Sequence, residues 1–240
     1  MPANGGKTMP ENTYKHIFFD LDHTLWDFER NSAETLDELF EQHQLARLGM
    51  RCSDFVDTYS HTNHELWALY NRGVISQEEL RSTRFPIVFE RLGLSRSQVP
   101  QGIGEDYLLR CPSKPYLLPY AKEVLDYLAP QYQLHIITNG FPETQQIKLQ
   151  SSNITHYFAH VITSAEAQCK KPEPYIFTFL VEKLRTQAAQ CLMIGDNLAT
   201  DVQGAHNAGI DAVYFNPQKI PHKSEVRYEI SCLSQLKEIL

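Results

Sequence analysis

Tyr14-Lys15-His16-Ile17-Phe18-Phe19-Asp20-Leu21-Asp22-His23-Thr24 decides how the rest of the chain is read. Its first seven residues are dense in apolar and aromatic side chains and end on an acid. A short run of that kind reads as a strand buried on both faces of a parallel sheet. Residues two apart on extended backbone share a side, so Asp20 and Asp22 can face one place beyond the strand's carboxyl end. Open α/β sheets bind their ligands there.

Working outward, similar runs lie at 133–138, 159–163, 190–194 and 212–215. Between them the stretches 120–128, 143–151, 175–184 and 199–207 have helical character. Alternating strands and helices predict an α/β fold with a mostly parallel sheet. Residues 29–112 break the rhythm. Amphipathic spacing at 32–41, 55–71 and 77–92 predicts helices there, with no buried strand, and Pro112 and Pro115 bracket the end. This reads as a helical insertion after the first strand. The expected division is a core of 13–28 plus 113–240, a helical cap of 29–112, and a disordered polar tail of 1–12.

The whole chain narrows the functional classes. It has 240 residues and a net charge of −7, with 42% hydrophobic and 21% charged residues. That composition fills a core, so a disordered chain is not expected. An acidic protein is a poor partner for nucleic acid. No apolar run reaches the length of a membrane span. Cys52, Cys111, Cys169, Cys191 and Cys232 are widely spaced with no C-x-x-C pair, so neither a disulfide scaffold nor a thiolate metal site is expected. Residues 1–12 lack the apolar stretch of a signal peptide. The expected setting is a cytoplasmic protein without nucleic-acid or membrane partners.

Polar groups recur where strands end. Thr138-Asn139-Gly140 offers a hydroxyl and backbone N–H groups to an oxyanion. Lys170-Lys171-Pro172-Glu173-Pro174 precedes a helix and supplies a cation that would neutralise phosphate. Gly195-Asp196-Asn197 follows the 190–194 strand, with Asp201 in the first turn of the next helix. Oxygen-only ligands of this type suit Mg²⁺, which binds through one or two carboxylates plus phosphate and water. Read singly, these are a turn, a solvated lysine pair and a helix N-cap with a first-turn acid. Together with Asp20 and Asp22 they form four polar clusters on separate strand–loop units, and punctuation does not account for that.

In that order the clusters resemble the four motifs of the haloacid dehalogenase-like (HAD) hydrolase superfamily, over the chain from about Tyr14 onward. The resemblance implies a Rossmann-like three-layer parallel-sheet core with an inserted α-helical cap. It implies Asp20 as nucleophile, Asp22 as general acid/base, and Thr138 and Lys171 as catalytic phosphate-binding groups with Asn139 and Gly140 beside them. It also implies Mg²⁺ as cofactor, held by Asp20, Asp22 through its backbone carbonyl, Asp196 and Asp201. The chain resembles more closely the bacterial house-cleaning pyrimidine 5′-nucleotidase branch. The carrying residues are the I-I-T-N-G-F run ending at Phe141, the cap pattern of Leu66, Trp67, Tyr70, Gly73 and Ile75, and Arg84-Phe85. Two departures are Gln168, where relatives often have Gly, and His23, where many have Gly or Glu.

The implied activity is Mg²⁺-dependent hydrolysis of a small phosphorylated metabolite, a pyrimidine nucleoside monophosphate, through an aspartyl-phosphate. Alternatives are a phosphoglycolate or sugar-phosphate phosphatase, a β-phosphoglucomutase-like phosphomutase, and a receiver-like phospho-signalling module. A dehalogenase is disfavoured because that chemistry has no use for Asp22. In the cap, Asn63, Trp67, Tyr70 and Arg84 are the candidate substrate contacts. Trp67 and Tyr70, three apart on a helix, either stack on a base or pack the cap, and such pairs more often pack. His61 with His64, and His156 with His160, have helical spacing, but no H-E-x-x-H occurs and no zinc site is expected. A monomer or a homodimer is expected.

Overall fold

The computed structural model describes residues 14–240, so the expected tail of 1–12 lies outside the described residues. Six strands, β1 (His16–Phe19), β2 (Gln133–Thr138), β3 (Phe158–Thr163), β4 (Cys191–Gly195), β5 (Asp211–Phe215) and β6 (Tyr228–Ile230), form one sheet in the order β3-β2-β1-β4-β5-β6. Every neighbouring pair is parallel. Five strands lie where the apolar runs place them. The sixth, Tyr-Glu-Ile, is an edge strand of three residues, too short to leave a periodic signal.

The sequence of β1 explains its central position. Ile17, Phe18 and Phe19 are all fully buried, as are Leu192, Met193 and Ile194 on the neighbouring β4. Both sheet faces are therefore covered, which is why these strands read as continuous rather than alternating apolar runs. On one face Phe18, Ile137, Ile162, Met193 and Tyr214 pack with Ile176, Phe177 and Leu180.

The helices are α1 (Phe28–Gln42), α2 (Cys52–Asn71), α3 (Gln77–Arg91), α4 (Ile103–Arg110), α5 (Ala121–Leu128), α6 (Pro142–Ser151), α7 (Ser164–Ala167), α8 (Pro174–Lys183), α9 (Gln203–Asn207) and α10 (Leu236–Ile239). Helix α3 starts where a capping box forces it. Glu79 N donates to Ser76 Oγ at 3.1 Å, and Ser76 N donates back to Glu79 Oε2 at 2.8 Å. The stretch 199–207 is not one α-helix, because a π-turn at Leu198–Val202 leads into α9.

The chain divides into two compact units. One comprises residues through Thr24 with Pro119–Thr138 and His156–Leu240, and holds the whole sheet. The other comprises Leu25–Leu118 and Asn139–Thr155, and is helical. In this second unit the two ends of the insertion are zipped together. Trp26 bridges Leu117 in antiparallel fashion, and Leu118 N donates to Leu25 O at 2.9 Å. Fully buried Asn31 clasps the pair, donating from Nδ2 to Asp27 O at 2.7 Å and to Tyr116 O at 2.8 Å. The paired ends thus lie a few residues outside the 29–112 read from periodicity. Two short extended arms and one clasping Asn have no periodic signature.

His23 and Gln168 both occupy the left-handed region, with φ of 63° and 56°. That conformation crowds any Cβ, and glycine alone enters it without cost. The two departures from the family pattern therefore fall on two backbone positions that favour glycine. Gln168→Gly trades relief of this strain against a more flexible unfolded chain, and is expected to hold stability or raise it by up to about 1 kcal/mol. Gln168→Val is expected to lower stability by about 1–2 kcal/mol, because a β-branched residue suits this region least. Urea midpoints of the two variants check this.

Candidate active site

Strand order reverses at β1 and β4, the topological switch point of a doubly wound sheet. Asp20 lies directly after β1 and Asp196 directly after β4. Lys171 is the centre of the cluster. It is 2% exposed, and its Nζ donates to Asp20 Oδ1 at 2.6 Å and to Ile137 O at 2.9 Å, with Asp201 Oδ1 at 2.7 Å. An ammonium has three donors, and these three acceptors come from the ends of β1 and β2 and from the turn after β4. The Lys171–Pro172 peptide bond is cis.

Two residues not singled out in the sequence hold this arrangement. Thr24, fully buried, donates from Oγ1 to Asp196 Oδ1 at 3.1 Å and accepts from Asp196 N at 3.2 Å. It ties the loop after β1 to the loop after β4. Gly195 leaves the space in which Asp201 folds back, since a Cβ there would sit 2.3 Å from Asp201 Oδ2. Asp201 is 1% exposed and Asn197 N donates to its Oδ2 at 3.1 Å. Asn197 Oδ1 in turn accepts from Ala199 N and Thr200 N, each at 3.0 Å. The N-cap is therefore real, and it fixes the acid that meets Lys171. The signal for Thr24 and Gly195 was their place inside D-x-D-x-T and G-D-N.

Asp20, Asp196 and Asp201 each offer a carboxylate oxygen within 4.8 Å of the others. Burial pushes Asp20 up to about 7; Lys171 opposes the shift, while Asp201 and Asp22 add to it. Burial, with Asp20 and Asp201 nearby, holds Asp196 well above the usual carboxylate range. Burial disfavours the charge on Lys171, but Asp20 and Asp201 outweigh it and keep the amine protonated. Three carboxylates against one ammonium leave a deficit of positive charge, and the donors are all hard oxygens. The set fits a divalent cation such as Mg²⁺.

Asp22 is half-buried on the same loop. Thr138 is 2% exposed at the end of β2, one residue past the carbonyl that Lys171 binds. Asn139 and Gly140, expected beside Thr138 as phosphate-binding residues, fall in the helical unit. There Asn139 Nδ2 donates to Asn71 Oδ1 at 3.0 Å.

The candidate cap residues are also in that unit. Trp67 stacks on Phe141 with ring centroids 5.5 Å apart, and Tyr70 meets both rings edge-on. Leu66, Tyr70, Leu80 and Phe141 form a buried cluster with Trp67 against it. Arg84 is buried and donates from Nη1 to Tyr59 Oη at 2.8 Å. Of the histidines, His61 Nδ1 bonds Asp57 O at 2.8 Å and His160 stacks on His135. All five cysteines are free thiols. No helix among the described residues is long and apolar enough to cross a membrane.

Residues 14–209 match the family model of haloacid dehalogenase-like hydrolases. The chain belongs to that family. Over 235 residues it is 31% identical to pyrimidine 5′-nucleotidase PynA of Streptococcus pneumoniae, with 95% of each chain covered. It is 29% identical to pyrimidine 5′-nucleotidase YjjG of Escherichia coli, covering 93% of this chain and 96% of that one. The crystal structure of the HAD hydrolase YfnB of Bacillus subtilis, bound to magnesium, matches with a TM-score of 0.84 at 28% identity, over 94% of this chain and 98% of that one. The Rossmann-like parallel sheet read from the strand–helix rhythm is thus the fold of a HAD hydrolase.

The weakened acidity of Asp20 has a direct consequence for this hydrolase. Between its ordinary value of 3.8 and about 7, the folded protein keeps a proton that the unfolded chain releases. Stability from this group is full below that window and is lost as pH rises through it. Asp20→Asn is therefore expected to become progressively more stable than the natural protein between about pH 4 and about pH 8 in chelator-treated buffer. Urea denaturation at several pH values reads the difference. A constant difference would show that Asp20 ionises in the fold as in water.

Proposed function

We propose that this HAD hydrolase is a cytoplasmic, Mg²⁺-dependent 5′-nucleotidase that removes phosphate from pyrimidine nucleoside monophosphates through an aspartyl-phosphate on Asp20. The observation that carries the chemistry is Lys171 bonded to both Asp20 and Asp201, with Asp196 completing a three-carboxylate cluster beside the D-x-D loop. The substrate class is supported by the two pyrimidine 5′-nucleotidases to which nearly the whole chain is similar. In domain terms, 13–28 with 113–240 supply the phosphohydrolase core and 29–112 the cap that selects the substrate.

Asp20, Asp196 and the backbone carbonyl of Asp22 would hold Mg²⁺, with Asp201 supporting. When bound, the cation supplies the missing positive charge, keeps Asp20 ionised and screens it from the phosphate. Lys171 fixes the Asp20 carboxylate through Oδ1. Asp20 attacks phosphorus in line, and the ester P–O bond breaks as the Asp20 O–P bond forms. Asp22, in its protonated form, gives its proton to the departing alkoxide. In the second step Asp22 takes a proton from water, whose oxygen attacks phosphorus and frees Asp20 and inorganic phosphate. Thr138 binds a phosphoryl oxygen as charge builds there, and Lys171, whose three donors are engaged by Asp20, Asp201 and Ile137 O, would turn one of them to the phosphoryl group when substrate is bound.

Two measurements test this reading. Mg²⁺ is expected to raise the melting temperature of the chelator-treated protein, because it binds only the folded carboxylate cluster. Asp196→Asn is expected to lose most of that rise. An equal rise in the variant would place the ion elsewhere. In a phosphate-release assay over nucleoside monophosphates and sugar phosphates, turnover is expected to require Mg²⁺ and to favour pyrimidine nucleotides, and Asp20→Asn is expected to abolish it. Activity of Asp20→Asn near the natural level would overturn the nucleophile. A preference for sugar phosphates would overturn the nucleotidase and leave the phosphatase.

A further inference from the structure

A carboxylate has two oxygens, and the partners already bound to each decide how it can hold a cation. Asp20 accepts from Lys171 Nζ on Oδ1 at 2.6 Å. Asp196 accepts from Thr24 Oγ1 on Oδ1 at 3.1 Å. Asp201 is engaged on both oxygens. Lys171 Nζ lies 2.7 Å and Thr200 Oγ1 3.3 Å from its Oδ1, and Asn197 N donates to Oδ2 at 3.1 Å. Among the described residues, Oδ1 is thus the hydrogen-bonded oxygen of both Asp20 and Asp196, and Oδ2 is the one left over in each.

At Asp196 this division depends on a residue without charge. Thr24 is fully buried, and the hydroxyl that donates to Asp196 Oδ1 also accepts from Asp196 N at 3.2 Å. One hydroxyl therefore grips the main chain and the side chain of the same residue, which closes a small ring and fixes how the carboxylate is turned. A hydroxyl has a single hydrogen, and that of Thr24 is spent on Oδ1. The contact spans 172 positions of chain but joins neighbouring strands, since Phe19 of β1 lies opposite Ile194 of β4. Valine would fill the same buried space and make neither bond. The hydroxyl, rather than the bulk of the side chain, is what sets Asp196.

The number of oxygens a carboxylate can offer separates the two common hard cations. Mg²⁺ demands a tight octahedron, keeps several waters and binds through one or two carboxylates, whereas the larger Ca²⁺ takes roughly six to eight oxygens and accepts two from one carboxylate. We propose that Thr24 is a positioning residue that sets the cation preference of this site: by holding Oδ1 of Asp196 it leaves that carboxylate one oxygen to offer, Oδ2, and so favours Mg²⁺ over Ca²⁺. This rests on the cation site proposed above. Lys171 restrains Asp20 in the same sense, but it carries charge and takes part in the reaction. Thr24 is the position at which this restraint can be removed with the charge of the site unchanged.

The test is the ratio of the Ca²⁺ to the Mg²⁺ dissociation constant, each read without substrate from the rise in melting temperature as the ion is added to chelator-treated protein. It is measured on the natural protein and on Thr24→Ser, Thr24→Val and Thr24→Ala. The last two both lack the hydroxyl and differ in volume, so one that folds is enough. The natural protein is expected to bind Mg²⁺ the more tightly. The ratio is expected to fall at least about fivefold in Thr24→Val and Thr24→Ala and to stay within about twofold in Thr24→Ser. A merely structural threonine would lower the melting temperature of the ion-free variants and leave the ratio where it was. That result, or a Thr24→Ser that behaves like Thr24→Val, overturns the proposal while the cation site stands. If neither ion raises the melting temperature of the natural protein, the cation site itself fails and the role of Thr24 falls with it.

Discussion

Lys171 brings one positive charge to a buried site where Asp20, Asp196 and Asp201 converge. Most features of the sheet's carboxyl edge follow from that imbalance. Two acids clasp the ammonium, so it remains charged despite full burial. The acids remain under-compensated, and Asp20 and Asp196 hold their protons far above the ordinary range. Such a cluster is costly in the fold alone, because buried ion pairs seldom return their desolvation penalty. The same deficit makes it receptive to a hard divalent cation and, through that cation, to the dianion of a phosphate ester.

The parallel sheet makes this convergence possible. Strands β1, β2 and β4 are neighbours in register, with Phe19 opposite both Ile136 and Ile194. Their carboxyl ends are therefore level, and the residues that follow each strand meet without long connections. Small local devices finish the work. Thr24 bridges two of the loops by exchanging hydrogen bonds with Asp196. Gly195 yields its side-chain space to Asp201, and Asn197 caps the turn that carries it. Each device acts through a neighbouring atom and touches no reacting group.

This division governs what could be read from the residues. Strands buried on both faces write themselves as apolar runs, so β1 to β5 and the polar clusters at their ends were legible; the clusters gave Asp20, Asp196 and Asp201 and a Lys170–Lys171 pair, from which only the family resemblance picked Lys171. The edge strand Tyr228–Ile230 is too short to be periodic, and the arms at Trp26 and Leu117 pair through backbone atoms that any sequence supplies. Thr24 and Gly195 were visible as letters of motifs, but their roles depend on contacts across 172 positions of chain in one case and on a missing Cβ in the other. His23 and Gln168 show the reverse. Noted only as departures from a pattern, they prove to share a left-handed backbone that explains why the pattern prefers glycine.

The helical unit separates residues that mark a branch of the family from residues that have chemistry left to offer. Trp67, Tyr70 and Phe141 come from two signatures far apart in the chain, and the structure joins them as one aromatic cluster. Asn139 and Asn71 add a hydrogen bond between the same two segments. Rings packed on rings account for themselves by burial, and a substrate is not needed to explain them. Asn63 and Arg84 are different, because each keeps one buried polar atom, Oδ1 and Nε, without a partner, and that counts against them unless something else repays it. Where a substrate-selecting surface is sought in a unit of this kind, the polar atoms that packing leaves unsatisfied are therefore a better guide than its most conspicuous aromatic side chains.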